Sequence, residues 1–304
     1  VDTHSASFVE RAAAATEHAL SCGALRSVQT RIETIEQAGI RFLVHVLQSR
    51  DEKAAASLAA ASPVKDFNPF LPYDPDLFVA EISSTHLCLL NKYNVLPNHL
   101  LIVTRQFVDQ ETLLDQADFA ALWFGLAHFA EAQVDGFAFY NGGQSAGASQ
   151  RHKHLQLTPL PFHGDGPPTP VDAVLAVLAG RPGIATAPQL PYLHAVVQLD
   201  FTWSEPLQWG AHQLWERYHA LLGAVGLPAS HSAGASQPAP YNLLVTRRWM
   251  MIAPRTQASF RSIPVNALGF AGSLLAKNEH QLHVLRELGP LTVLAQVGVA
   301  QEQR

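Results

Sequence analysis

Cysteine is nearly absent from this chain: 304 residues contain two, Cys22 and Cys88. They form no C-x-x-C pair and no disulfide framework, which predicts a reducing, cytoplasmic setting. Charge is sparse as well, at 15 % of residues, with 20 basic against 25 acidic side chains and a net charge of −5. That balance argues against a general nucleic-acid surface. An anionic ligand then has to find a local cationic pocket, for which Lys92, Arg151, Arg247, Arg248 and Arg255 are the candidates. No apolar run is long enough to span a membrane. Glu10, Arg11 and Glu17 interrupt the Ala-rich opening stretch, which predicts an amphipathic helix rather than a secretion signal. What remains is a globular composition, 48 % apolar, in a chain long enough to bury a large core.

Periodicity predicts helices over Ser7–Cys22, Val28–Gln37, Asp115–Val134, Val171–Leu178 and Leu207–Val225, with a final one over Asn278–Leu288. Strand patterns fall at Ile40–Leu47, Phe78–Ile82, Leu87–Asn91, Leu100–Thr104, Phe137–Tyr140, Ala195–Leu199, Asn242–Arg247 and Trp249–Ala253. Asp51–Ser62 reads as a loop or short helix, and Pro63–Pro75 as irregular. Strands and helices mix without a regular βαβ alternation, so the expected class is α+β with a mainly antiparallel sheet flanked by helices. The chain reads as one compact unit. Its best internal boundary is the breaker cluster at 164–170, between a motif-bearing part (1–163) and a C-terminal part (171–304). The segments Leu100–Arg105 and Leu243–Arg247 resemble each other, which makes a degenerate duplication conceivable.

Residues 147–157, Gly-Ala-Ser-Gln-Arg-His-Lys-His-Leu-Gln-Leu, carry the chemistry. In a strand, alternate residues share a face. His152, His154, Gln156 and Thr158 then line one side, while Lys153, Leu155, Leu157 and Pro159 fall on the other. The leucines can face a core and the imidazoles a cleft. A neutral, oriented imidazole is a good nucleophile toward phosphorus. The small-residue stretch Asn141–Ser149 can bring backbone N–H groups up to phosphate oxygens, and Ser149 and Gln150 add donors. This set suits nucleotidyl transfer, although His-x-His also serves as a metal-ligand pair.

The run Asn141-x5-Gly147-Ala148-Ser149-Gln150-x-His152-Lys153-His154-Leu155-Gln156-x-x-Pro159 resembles the ATP adenylyltransferases, or diadenosine tetraphosphate phosphorylases. These form the His-x-His-x-Gln transferase branch of the histidine-triad superfamily. Asn68-Pro69-Phe70, Leu89–Tyr93, Leu100–Thr104 and Tyr241–Arg255 extend the likeness. The resemblance implies a histidine-triad-like fold and a double displacement. His154 would attack the α-phosphorus of diadenosine tetraphosphate and release ATP, and phosphate would then free the adenylyl group as ADP. It implies orientation by His152 and phosphate binding by Gln156. It further implies nucleotide contacts from Asn141, Gly147, Ala148, Ser149 and Gln150, and more weakly from Asn91, Lys92, Thr246, Met251, Arg255 and Lys53.

The expected partners are dinucleoside polyphosphates, ATP, ADP and phosphate, with sulfate as a possible alternative acceptor; Mg2+ is expected to arrive with the nucleotide, with no tightly bound metal. A glutamine that cannot titrate favours transfer over hydrolysis. Three other readings stay open, one of them a hydrolase, whose products would not require added phosphate. A hexose-1-phosphate uridylyltransferase is disfavoured by Lys153, where that branch has proline, and by the missing metal-binding cysteine pairs. A non-catalytic nucleotide sensor is disfavoured by the intact His-His-Gln set.

Overall fold

The structure, a computed structural model, describes residues 6–48, 67–164, 166–228, 230, 232 and 234–301. The expected loop at 51–62, and Lys53 within it, lie outside the described residues. In chain order the strands are β1 (Thr30–Gln37), β2 (Ile40–Leu47), β3 (Phe78–Glu81), β4 (His86–Leu90), β5 (Leu100–Thr104), β6 (Asp135–Gly142) and β7 (His154–Leu160). They continue with β8 (Ile184–Ala185), β9 (Ala195–Gln198), β10 (Tyr241–Thr246), β11 (Trp249–Pro254), β12 (Ser259–Phe260), β13 (Ile263–Pro264) and β14 (Ser273–Ala276). The main helices are α1 (Phe8–Cys22), α2 (Gln116–Glu131), α3 (Leu207–Ala224), α4 (Glu279–Leu288) and α5 (Pro290–Val297). Among the described residues no helix is long and apolar enough to cross a membrane.

The class is α+β, as expected. One sheet of nine strands runs β3-β4-β5-β7-β6-β10-β11-β9-β8, every neighbouring pair antiparallel. It takes strands from both sides of the 164–170 cluster. A second sheet, β1-β2-β14, has one parallel pair, β2 with β14.

Local chemistry starts the helices. Ser7 and Glu10 form a reciprocal capping box at α1, and Gly23 ends that helix in the left-handed region. Asp115 accepts from the N–H groups of Ala117 and Asp118 at α2, while Asp118 returns a bond to the Asp115 N–H. One sequence expectation fails, and another is incomplete. Val28–Gln37 holds a strand, β1, not a helix: from Thr30 on, β-branched Thr30, Ile32, Thr34 and Ile35 pair antiparallel with β2 across an Ala38-Gly39 turn in which both residues have positive φ. A two-residue turn of that kind matches the strand twist and locks a hairpin. The helix expected over Asn278–Leu288 forms, as α4, but it is not the last. Gly289 breaks it, and Pro290, with its preset φ, opens α5.

One face of the nine-stranded sheet packs against α1, α2 and α3 through Phe8, Phe119, Trp123, Leu126, Leu214 and Tyr218. Gly125 lets α2 come close to β7: a Cβ there would meet Leu157 Cδ2 at 2.6 Å. The opposite face carries two separate apolar clusters. Phe137 and Phe139 (β6), Leu244 (β10) and Met251 (β11) join the small sheet and the C-terminal helices. On the far side, Leu87 and Leu89 (β4) and Leu101 and Val103 (β5) pack under Phe70. Strand β7 runs between the two.

Candidate active site

The side chains that β7 presents at this seam are polar. His154 stands opposite Val103 of β5, and Gln156 lies between Leu101 of β5 and Phe139 of β6. Lys153, Leu155 and Leu157 point the other way, the leucines into the helix-side core. The alternation read from the sequence therefore holds, with one adjustment. The strand begins at His154; His152 precedes it, in an isolated bridge to Asp109.

His154 Nδ1 is 2.9 Å from the His152 carbonyl oxygen. A carbonyl only accepts, so Nδ1 carries the proton and Nε2 keeps its lone pair. Burial holds this imidazole well below the ordinary histidine pKa, at about 4, leaving it neutral at physiological pH. Among the described residues Nε2 has no protein partner. Phe70 packs against the ring with centroids 5.3 Å apart.

His152 is fixed in its turn. Its Nε2 lies 2.8 Å from the Thr104 carbonyl and 3.1 Å from that of Gln106, so Nε2 donates. Asn68 Oδ1 accepts from the Phe70 N–H, which turns its Nδ2 toward His152 Nδ1 at 2.9 Å. The two histidines are held in different tautomers, each set by a backbone carbonyl.

The register predicts that Asn141 of β6 should face His154, yet the ladder ends at Phe139 and Gln156. Gln110, buried, bridges the gap. Its Oε1 accepts from the His154 N–H (2.8 Å) and its Nε2 donates to the Asn141 carbonyl (2.9 Å). Asn141 Oδ1 accepts from Asn242 Nδ2 (2.8 Å) and the Ala267 N–H (2.9 Å), which orients its own amide NH2 away from both.

The following loop returns through Gly147 at φ +91°, where a Cβ would meet the Val265 carbonyl at 2.7 Å. Only glycine fits there without strain. Among the described residues the N–H groups of Ser149 and Gln150 donate to no protein acceptor. An anion could therefore use them.

Arg255 departs from the expectation of a nucleotide contact. All five of its N–H donors are taken within the protein, by the carbonyls of Val297, Ala146, Gln257 and Val265 and by Asn242 Oδ1. Burial lowers its pKa to about 9, so it remains a cation, tied beneath the glycine loop.

The other candidate cations have acidic neighbours. Lys92 lies 3.4 Å from Asp74, Arg151 2.6 Å from Asp109 and Arg248 3.4 Å from Asp172, while Arg247 pairs with Asp135. Exposed pairs of this kind are weak and leave Lys92 and Arg151 exchangeable toward an anion.

Two expected contacts sit apart from the histidines. Thr246 lies opposite Phe137, at the other end of β10 from Asn242, about 13 Å along the strand. There it caps the turn into β11 by accepting from the Arg248 and Trp249 N–H groups. Met251 shares the Gln156 face but is three strands across, about 14 Å, and fully buried.

Sequence reasoning singled out neither Gln110 nor His99, whose Nε2 is 2.8 Å from Gln156 Oε1, and gave Asn68 no role. Asn68-Pro69-Phe70 was visible as a motif. The other two carry no local signal.

A neutral imidazole with an open Nε2, amide donors beside it and free backbone N–H groups near by form a nucleophile with an anion cradle. Comparison with known proteins gives the family. Residues 1–177 match the family model described as the Ap4A phosphorylase N-terminal domain, and residues 188–300 match the ATP adenylyltransferase C-terminal domain.

Diadenosine 5′,5′′′-P1,P4-tetraphosphate phosphorylase 2 of Saccharomyces cerevisiae is 26 % identical over 249 residues, 74 % of each chain. The crystal structure of yeast Ap4A phosphorylase Apa2 superposes with a TM-score of 0.77 at 22 % identity, covering 97 % of this chain and 98 % of that one. The Apa2 structure in complex with Ap4A gives 0.76 over 97 % and 98 %. The two family models between them take in nearly the whole sequence, the motif strand included, and the chain belongs to the Ap4A phosphorylase family of ATP adenylyltransferases.

Proposed function

We propose that this protein cleaves diadenosine tetraphosphate with inorganic phosphate, giving ATP and ADP through an adenylyl group carried on His154. The observation that carries the reading is the locked ring of His154, with Nδ1–H held by the His152 carbonyl and a neutral Nε2. Nε2 attacks the α-phosphorus; a P–N bond forms as the P–O bond to the departing ATP breaks. Phosphate oxygen then attacks the same phosphorus, ADP leaves, and Nε2 recovers its lone pair. Gln156 and the N–H groups of Ser149 and Gln150 stabilise charge on the phosphoryl oxygens. His152 holds the nucleophile through its own carbonyl.

The substrate comes from the family and from the yeast relative's name, and the neighbouring fold binds Ap4A in Apa2. The same name favours phosphate over sulfate as acceptor. Lys92 and Arg151 meet the polyphosphate by exchanging their half-buried carboxylate partners, Asp74 and Asp109. Mg2+ bound to the polyphosphate would supply charge neutralisation for the departing ATP. Among the described residues the one cluster of potential metal ligands, His18, Cys22 and Asp76, is exposed and belongs to α1 and the turn before β3, not to β7.

The test follows diadenosine tetraphosphate by chromatography, with and without phosphate, for the wild type and His154→Ala. Sustained formation of ADP and ATP should require phosphate and vanish in the variant, while the wild type without phosphate releases no more than one equivalent of ATP per site. Cleavage at equal rate without phosphate would make the protein a hydrolase and overturn the reading.

A further inference from the structure

A glutamine amide has two ends of nearly the same shape, and its neighbours decide which end faces the cleft. For Gln156 that neighbour is His99, the buried residue just before β5. Its Nε2 lies 2.8 Å from Gln156 Oε1, and its Nδ1 lies 3.3 Å from Asn91 Nδ2. The polarity of this line follows from one end. The backbone N–H of Tyr93 is only a donor, and it meets Asn91 Oδ1 at 3.4 Å. Asn91 therefore turns its Nδ2 toward His99, whose Nδ1 has to accept. The ring proton is then on Nε2 and goes to Gln156 Oε1. Both N–H groups of the Gln156 amide are left for the cleft.

We propose that His99 is a positioning residue that selects the orientation of the Gln156 amide, so that its NH2 meets the transferred phosphoryl group, and that Asn91 sets the His99 tautomer. The inference rests on the phosphoryl-transfer reading of His154 given above. A flipped amide would aim its carbonyl oxygen at phosphate oxygens, replacing a donor by repulsion. Burial holds His99 neutral, with its pKa lowered to about 4, so the line keeps its polarity at physiological pH. Phe139 packs against the ring with centroids 5.6 Å apart.

Two measurements test this. The first is a double-mutant cycle on phosphorolysis. His99→Phe keeps a ring in place but removes both hydrogen bonds; it should lower kcat by about 100- to 1000-fold, with KM for diadenosine tetraphosphate little changed, as expected for losing one oriented donor. Gln156→Ala should cost about as much, and adding His99→Phe to it should cost nothing further. Losses that multiply, or an unchanged kcat in His99→Phe, would overturn the proposal, because His99 would then act independently of Gln156.

The second measurement is long-range 1H–15N NMR of the wild-type histidine rings at pH 7. It should show His99 protonated at Nε2 and bare at Nδ1, and the reverse tautomer would overturn the proposal even if no variant folds. If the wild type gives no phosphate-dependent ADP and ATP, the reaction assignment falls, while the tautomer still decides the relay.

Discussion

Lys153 Nζ lies 2.6 Å from Asp118 Oδ2, with both side chains 2 % exposed, directly behind the strand that carries His154 and Gln156. Lys153 also donates to the Leu113 carbonyl, and the other oxygen of Asp118 is 3.0 Å from His86 Nε2. The pair fastens β7 to the start of α2 and to β4. Removing one partner of a buried ion pair strands the other, at a cost of about 3–5 kcal/mol, whereas replacing both with apolar groups is often nearly neutral. Lys153→Met alone should therefore lower the unfolding free energy in urea by about that amount. Lys153→Met with Asp118→Leu should recover only part of it, because losing Asp118 also strands His86 Nε2 and the Asp115 N–H. Equal losses in the single and double variants would contradict the pairing argument.

Three buried imidazoles should govern acid stability. Burial lowers the pKa values of His45, His99 and His154 from the ordinary 6.5 to about 4. Between those values the unfolded chain binds protons that the folded one refuses. The stabilisation is fully present above pH 6.5 and is lost as pH falls toward 4, by up to about 1.4 kcal/mol per pH unit for each ring. Urea unfolding at successive pH values should show this fall, and a flat profile from 6.5 to 4.5 would refute it. The phosphate-independent first step, read as a burst of ATP, should show no inflection near 6.5, because His154 stays neutral there.

Gln110 should behave as part of the active site although its side-chain amide is spent on Asn141 and His154. Gln110→Ala leaves the buried His154 N–H without its acceptor, costing about 1–3 kcal/mol of stability. It also frees β6 and β7 to move where Asn141 and His154 must stay aligned. Turnover should drop more than nucleotide affinity does. An unchanged kcat in a folded variant would show that the bridge is dispensable.

Arg255→Lys tests whether that cation ties down the loop. Lysine offers three donors on a flexible stem where the structure uses five in a planar fork. The variant should unfold at lower urea concentration and bind nucleotide more weakly, through a loosened 143–150 loop, although its charge is kept. Wild-type stability with weakened binding would instead favour a direct contact between Arg255 and the nucleotide.

Much of the site was legible in the sequence because strand alternation is a local rule. Once β7 is a strand, His154 and Gln156 share a face and Lys153 takes the other, whatever surrounds them. The glycine at 147 could likewise be read as a tight return. Local rules misread Val28–Gln37, where the signal was the Ala38-Gly39 turn and the partner strand, and they did not anticipate α5 beyond Gly289.

Tertiary structure decided the rest, because hydrogen-bond partners come from distant parts of the chain. The tautomer of His152 depends on Thr104 and Asn68, the orientation of Gln156 on His99 and Asn91, and the spacing of Asn141 from His154 on Gln110. Arg255 looked like a phosphate ligand by its type and position, and only the five acceptors gathered around it show where its donors go. By itself the sequence determined which side chains share the cleft face of β7, since side-chain identity and strand period are written residue by residue. Their protonation and aim were settled by the fold, which sets burial and long-range hydrogen bonding.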